Sequence, residues 1–81
     1  MSKHHRAPDK ALRTLGSLIV ERRQERGLTS REMAAELGIS QSCLSRIENG
    51  SREIRLEILH KLCQRLDLEG EVVKYLKTGR F

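Results

Sequence analysis

The sequence is poor in several residue types, and each shortage limits what the chain can be. Its 81 residues include one proline, one phenylalanine, one tyrosine and no tryptophan. A chain of this length forms a single domain with a small core, and such a domain gains stability from dimerisation. Because the proline lies near the N-terminus and helix-forming residues dominate, we expect an all-α fold. We find no apolar run long enough to cross a membrane and no signal peptide, so we expect a cytoplasmic protein.

Cysteine and histidine are also scarce. Cys43 and Cys63 have neither metal-ligand nor redox-motif spacing, so we interpret both as free thiols in a reducing compartment. His4, His5 and His60 are too few and too dispersed for a metal site. The spacing supports neither a catalytic triad or dyad nor a glycine-rich phosphate loop. The sequence therefore predicts no metal, no cofactor, no small-molecule substrate and no enzymatic activity.

Positive charge is in excess, with a net charge of +5, but it is unevenly distributed. Residues 1–26 carry seven basic and three acidic groups, residues 27–50 carry two and three, and residues 51–81 carry seven and five. The central part is nearly neutral, so attraction to a polyanion must come from its flanks. This division is typical of proteins in which phosphate contacts position the protein and polar side chains read the bases. The alternative is a charged surface that only keeps the protein in solution.

Residues 29–50 carry the clearest pattern. Thr29 and Glu32 have the spacing of a capping box at a helix start. Gly38 stands where that helix should end in a left-handed conformation, and Ser40 can cap the next helix. The inner faces of both helices are apolar, formed by Met33, Ala34 and Leu37 and then by Leu44 and Ile47. This layout is that of a helix-turn-helix, whose second helix can enter the major groove of DNA.

The same stretch resembles the phage Cro/repressor (XRE-like) helix-turn-helix family in the string L-T-x-x-E-x-A-x-x-L-G-I-S-x-x-x-L-S-R-I-E-N-G. The resemblance extends from about Leu15 to Leu68. It implies a compact four- to five-helix bundle of the lambda-repressor-like DNA-binding type, with a central helix-turn-helix. The chain departs from the family at Ile54, where a proline is common, and at Arg55, where a small capping residue is common.

We divide the chain into three parts: a flexible basic N-terminal arm (residues 1–8), the helix-turn-helix domain (residues 9–68) and a C-terminal segment (residues 69–81). The arm either follows DNA through Lys3 and Arg6 or has no role. We expect a first helix over residues 9–26, which Gly16 weakens, and the alternative is a start nearer Leu15. A helix over residues 56–66 should bury Leu56, Leu59, Leu62, Cys63 and Leu66.

The C-terminal segment suits either a short helix or a strand, because β-branched and aromatic residues are enriched in strands. So small a domain has little room to bury it. We therefore predict a homodimer interface there, and the alternative is a last helix that covers the domain's own core. The expected interface residues are Val72, Val73, Tyr75 and Leu76.

Two opposite charges continue the apolar stripes of the first and reading helices. Arg23 follows Ile19 by four residues, and Glu48 follows Leu44 by four. A charge on a buried stripe is costly unless it is paired, so we predict an Arg23–Glu48 ion pair. The resemblance implies the same pair.

The first exposed positions of the reading helix should meet base edges. Gln41 can pair with adenine, and Arg46 can pair with guanine or bind a phosphate. The resemblance assigns base contacts to Gln41, Ser42, Cys43 and Arg46. Helix N-termini favour phosphate, and the family also holds phosphate after the reading helix. The expected phosphate contacts are Thr29, Ser30, Arg31, Ser45, Asn49 and Arg52.

These features predict a sequence-specific DNA-binding transcription regulator. The resemblance favours a repressor that binds a palindromic operator as a homodimer, with half-sites about 34 Å apart. The alternative is the antitoxin of a toxin–antitoxin pair, a protein-interaction module that can also bind DNA.

Overall fold

The computed structural model describes residues 10–81, and within them five helices and no strand form the fold. The helices are α1 (Lys10–Glu25), α2 (Ser30–Leu37), α3 (Gln41–Glu48), α4 (Leu56–Leu66) and α5 (Glu69–Thr78). The expected all-α bundle with a central helix-turn-helix, formed by α2 and α3, is confirmed. The expected basic arm, residues 1–8, and the residue before α1 lie outside the described part.

The ends of α2 and α3 follow from local side-chain chemistry. Thr29 Oγ1 accepts a hydrogen bond from the Glu32 N–H at 3.0 Å, and Glu32 Oε1 accepts one from the Thr29 N–H at 2.9 Å. Gly38 ends α2 with φ +72°, a conformation that a side chain would disfavour. Ser40 Oγ accepts from the Cys43 N–H at 3.0 Å and caps α3. The capping box and the second cap are therefore present as the sequence predicts.

The capping box also makes stability depend on pH. Hydrogen bonds from the Thr29 N–H, and then from its hydroxyl, hold the pKa of Glu32 below its usual value against a weak opposing effect of burial. A lowered folded-state pKa adds stability that is present above the unfolded-state pKa and is lost as the pH falls through the folded-state value.

We expect Glu32→Gln to lower the melting temperature at neutral pH and to lose this effect well below about pH 4, once the carboxyl is protonated in the folded as well as in the unfolded state. Thermal melting of both proteins across this range measures the difference. Glu25→Gln, which removes an exposed carboxylate at the end of α1, is the control. The difference between its melting temperature and that of the parent protein should not show the pH dependence expected for Glu32→Gln. A difference between Glu32→Gln and the parent protein that stays constant with pH would contradict the prediction.

Helices α1 to α4 share one apolar core. No charged or polar residue is fully buried among the described residues, although Arg23 and Glu48 are nearly so, with side chains 11% exposed. The core consists of Leu15, Ile19, Met33, Ala34, Leu37, Leu44, Ile47, Ile58, Leu62, Cys63, Leu66 and Leu68.

The inner face of α4 differs from the prediction at its first turns. Leu56 is 82% exposed, whereas Ile58 is 4% exposed and belongs to the core. Leu59 is only partly buried. The spacing from Leu56 and the spacing from Ile58 both fit a helix, and both converge on Leu62, Cys63 and Leu66. Packing against the other helices selects the Ile58 stripe.

Helix α1 begins at Lys10 and continues through Gly16, which agrees with the expected helix over residues 9–26 and excludes the alternative of a start nearer Leu15. Gly16 is buried where α1 meets the end of α3. A Cβ atom there would lie 2.7 Å from the Ile47 carbonyl oxygen and still closer to that of Glu48. The missing side chain therefore lets α1 approach the backbone of the reading helix.

The C-terminal segment forms a helix, which excludes the alternative of a strand. Val72 and Phe81 pack against the core, and Tyr75 stacks on Phe81 with ring centroids 4.6 Å apart. Val73 and Leu76 are 46% and 75% exposed. Helix α5 thus covers part of the core with one edge and leaves apolar side chains in solvent.

One arginine of α1 holds the corner between α4 and α5. Arg22 Nη1 donates to the carbonyl oxygens of Leu66 and Asp67, both at 2.9 Å. Its Nη2 lies 3.2 Å from Glu71 Oε2. The backbone at Asp67 is left-handed, with φ +54°, which turns the chain sharply into α5. These contacts attach α5 to the body of the domain.

Candidate nucleic-acid interface

Helix α3 has one buried face and one exposed polar face. Leu44 and Ile47 are buried in the core. The exposed residues of the helix are Gln41, Ser42, Ser45 and Arg46. Cys43 is half-buried and packs partly against the core, so less of it is accessible than of its neighbours. The expected base-reading residues therefore share one surface, with Cys43 at its inner edge.

The predicted ion pair between α1 and α3 is present. Arg23 Nε donates to Glu48 Oε2 at 2.8 Å, and both side chains are 11% exposed. Arg23 Nη1 also donates to the Leu28 carbonyl oxygen at 2.9 Å. One guanidinium therefore connects α1, the turn before α2 and the last residue of the reading helix.

The expected phosphate contacts lie at the start of α2 and at the end of α3. Thr29 and Arg31 are exposed and Ser30 is half-buried. After α3, Asn49 Oδ1 accepts hydrogen bonds from the backbone N–H and the hydroxyl of Ser51, at 3.0 and 2.6 Å. The amide oxygen of Asn49 is thus used within the turn, and its NH₂ group is the part that suits an anion.

The charges around α3 favour a polyanion. Residues 41–52 contain a single carboxylate, Glu48, and Arg23 neutralises it. Within residues 10–81, Arg31, Arg46 and Arg52 form no ion pair. The helix-turn-helix and the loop that follows it therefore carry three guanidinium groups that no carboxylate of the described part of the chain neutralises.

The two cysteines lie in different environments. Cys63 is 8% exposed, and burial raises the pKa of its thiol, with a further contribution from the Glu69 carboxylate. A protonated, buried thiol is unreactive, which agrees with its interpretation as a core residue. Both cysteines are free thiols.

Other kinds of site find no support in the described part of the chain. Residues 10–81 contain no group of three or more histidine, cysteine, aspartate or glutamate side chains placed to hold a metal ion. None of the five helices has the length and apolar content needed to cross a bilayer.

Comparison with known proteins identifies the family. The helix-turn-helix family model matches residues 19–73, about two thirds of the chain. The chain belongs to this family, in its Cro/repressor (XRE-like) branch, and is a helix-turn-helix transcription regulator of the DNA-binding type.

Individual relatives are named as control-region, regulator or controller proteins. The ImmF control region 10 kDa protein of Bacillus phage phi105 is 38% identical over 60 residues, which cover 74% of this chain and 67% of the phage protein. The clp gene regulator ClgR of Corynebacterium glutamicum is 30% identical with a TM-score of 0.68, over 75% of this chain and 65% of ClgR. This chain therefore spans slightly less than two thirds of ClgR.

The restriction-modification controller protein C.AhdI of Aeromonas hydrophila is also 30% identical, with a TM-score of 0.66. The match covers 74% of this chain and 91% of the controller protein.

Proposed function

We propose that the protein is a sequence-specific repressor that binds a palindromic operator as a homodimer, with α3 in the major groove. The exposed polar face of α3 carries this proposal, because the opposite face is buried in the core. Gln41 can pair with adenine N6 and N7, and Arg46 with guanine O6 and N7. Ser42 can form a hydrogen bond with any of several bases. Cys43 lies against a thymine methyl group at the edge of the contact.

Backbone contacts position the protein without reading sequence. Ser30 and Arg31 supply backbone N–H groups at the start of α2, where the helix dipole favours an anion, and the Thr29 hydroxyl and the Arg31 charge add to them. Ser45 and Asn49 donate hydrogen bonds from the end of the reading helix, and Arg52 adds a charge in the following loop.

The proposed dimer uses the exposed apolar side chains of α5. Val73 and Leu76 are exposed together with Leu56 of α4. Beside Leu76 and Tyr75 lies an open apolar groove of about 380 Å³. Val72 packs on the protomer's own core, so it contributes only by supporting α5. Two copies related by a two-fold axis present two reading helices to half-sites about 34 Å apart.

The proposed mechanism is repression, in which a dimer bound to an operator occludes the promoter, and the proposed location is the cytoplasm. The regulatory names of the phage protein and of the two solved relatives support a role in transcription.

Selection of bound sequences from random duplex DNA tests the proposal, with the stoichiometry of the complex measured by sedimentation. We expect an inverted repeat bound by two copies of the chain. Failure to prefer any duplex over random competitor at moderate salt would overturn it. Co-purification of a neighbouring gene's product with a chain that lacks this preference would favour an antitoxin instead.

Within this proposal, Arg46 and Arg31 should respond differently to substitution. Arg46→Ala is expected to weaken binding to the selected site by about 1–3 kcal/mol and to relax its sequence preference, because a bidentate base contact is lost. Arg31→Ala is the matched control and should weaken binding to all sequences alike, with a smaller salt dependence. Titration of both variants against the selected and a scrambled duplex makes the comparison. Equal losses on the two duplexes for Arg46→Ala would assign it to phosphate.

A further inference from the structure

Two glycines bring the backbones of α1 and α3 together at the end of the reading helix. Gly16 lies against the carbonyl groups of Ile47 and Glu48. Gly50, one turn further along the contact, lies against Arg13. A Cβ atom on Gly50 would be 2.5 Å from Arg13 Cγ and 2.7 Å from Arg13 Cα. The first turns of α1 therefore touch the turn that ends α3.

This contact fixes the position of the first atoms of the Arg13 side chain. Its stem passes Gly50, which lies between Asn49 and Ser51 in sequence. The Ser51 N–H donates to the Arg46 carbonyl oxygen at 3.0 Å, which folds this turn back onto α3. Arg13 is thus adjacent to the segment to which we assign phosphate contacts.

The charge of Arg13 is available for a ligand. Arg13 is exposed and forms no ion pair with any of residues 10–81. Glu53, the nearest acidic residue after the turn, lines the apolar groove with Ala11 and Leu12 instead. Arg13, Arg46 and Arg52 are thus three guanidinium groups around the end of the reading helix that form no ion pair within residues 10–81.

We infer that Arg13 is a further phosphate-binding residue, placed by the Gly16 and Gly50 contacts beside the segment that follows the reading helix. The inference rests on the proposed DNA-binding function and extends it to α1, which carries none of the contacts assigned above. The ligand is a backbone phosphodiester of the duplex. A guanidinium group suits it because it is always charged and can donate two parallel hydrogen bonds.

The test compares Arg13→Gln with Lys77→Gln in the full chain. Lys77→Gln removes the same charge from α5, which carries no proposed DNA contact. Affinity for the selected duplex and for a scrambled duplex is measured as a function of salt concentration. We expect Arg13→Gln to reduce the slope of log affinity against log salt by about 0.9 per protomer, which corresponds to a loss of roughly eightfold in affinity at 0.1 M salt for each protomer bound.

The loss should be the same on both duplexes, because a phosphate contact carries no sequence information. Arg13→Lys should retain most of the slope. Arg13→Gln that behaves like Lys77→Gln would overturn the inference and leave the proposed function intact. A loss on the selected duplex alone would overturn it too, since that pattern indicates base reading. If the parent protein prefers no duplex, the proposed function itself fails. Melting curves for all variants identify any loss due to unfolding.

Discussion

Arg23→Ala is expected to lower the free energy of unfolding by about 3 kcal/mol, the lower end of the range for breaking a buried ion pair. The substitution leaves the Glu48 carboxylate nearly buried without its partner and removes the hydrogen bond to the Leu28 carbonyl group. Both side chains are 11% exposed, so water compensates little. Urea denaturation monitored by circular dichroism measures the loss.

Arg26→Ala is the matched control. Arg26 also pairs with an acidic residue, Asp67, at 3.2 Å, but that partner is 78% exposed. An exposed pair of this kind contributes less than about 1 kcal/mol. Adding Glu48→Ala to Arg23→Ala should restore part of the lost stability, because the unpaired carboxylate is then removed. Similar small losses for Arg23→Ala and Arg26→Ala would contradict the assignment of Arg23 to a buried, stabilising pair.

The pair also has an expected effect on recognition. Glu48 is the last residue of the reading helix, and Arg23 holds it against α1. Arg23→Lys keeps the charge but cannot reproduce the planar contacts to both Glu48 and Leu28. At a temperature where this variant is folded, we expect a smaller ratio of specific to non-specific DNA affinity than in the parent protein.

Gly16→Ala is expected to destabilise the protein by about 2 kcal/mol, although helix propensity alone favours the change by about 1 kcal/mol. The added Cβ atom would collide with the carbonyl groups of Ile47 and Glu48. These are backbone atoms of a packed helix, which cannot move aside as the end of a flexible side chain could. The collision is therefore relieved only by displacing α1 from α3.

Gly70→Ala is the control for Gly16→Ala. Gly70 lies in the first turn of α5, and a Cβ atom there would meet nothing within 4 Å. Propensity alone then decides the result, and we expect a gain of up to about 1 kcal/mol. If the collision occurs, thermal melting shows a lower melting temperature than the parent protein for Gly16→Ala and a higher one for Gly70→Ala. A Gly16→Ala variant that melts above the parent protein would show that the helices separate at little cost.

The structure limits the residues of α3 that can read bases to those on its exposed face. Four of the five positions of α3 that the sequence pattern predicts to be exposed are exposed, because burial of Leu44 and Ile47 fixes the rotation of the helix, and the fifth, Cys43, is half-buried. Their pairing with particular bases stays a prediction. Sequence reasoning did not include Arg13, because nothing in its local pattern distinguishes it from other exposed basic residues.

Local interactions made much of the fold predictable from the sequence. The capping box of Thr29 and Glu32, the left-handed Gly38 and the Ser40 cap act over three or four residues, so the order of residue types is enough to identify them. The Arg23–Glu48 pair spans a longer distance in sequence, but each partner continues an apolar stripe, and that pattern is visible locally.

Only the tertiary structure decided how the helices meet. Gly16 is unfavourable in an isolated helix and necessary in the packed one, because the atoms that exclude a side chain come from residues more than thirty positions away. The choice of Ile58 over Leu56 for the core, and of a helix for residues 69–78, likewise depends on neighbouring surfaces. Periodicity and capping specify each helix, whereas contacts between distant segments specify which atoms of those helices come together.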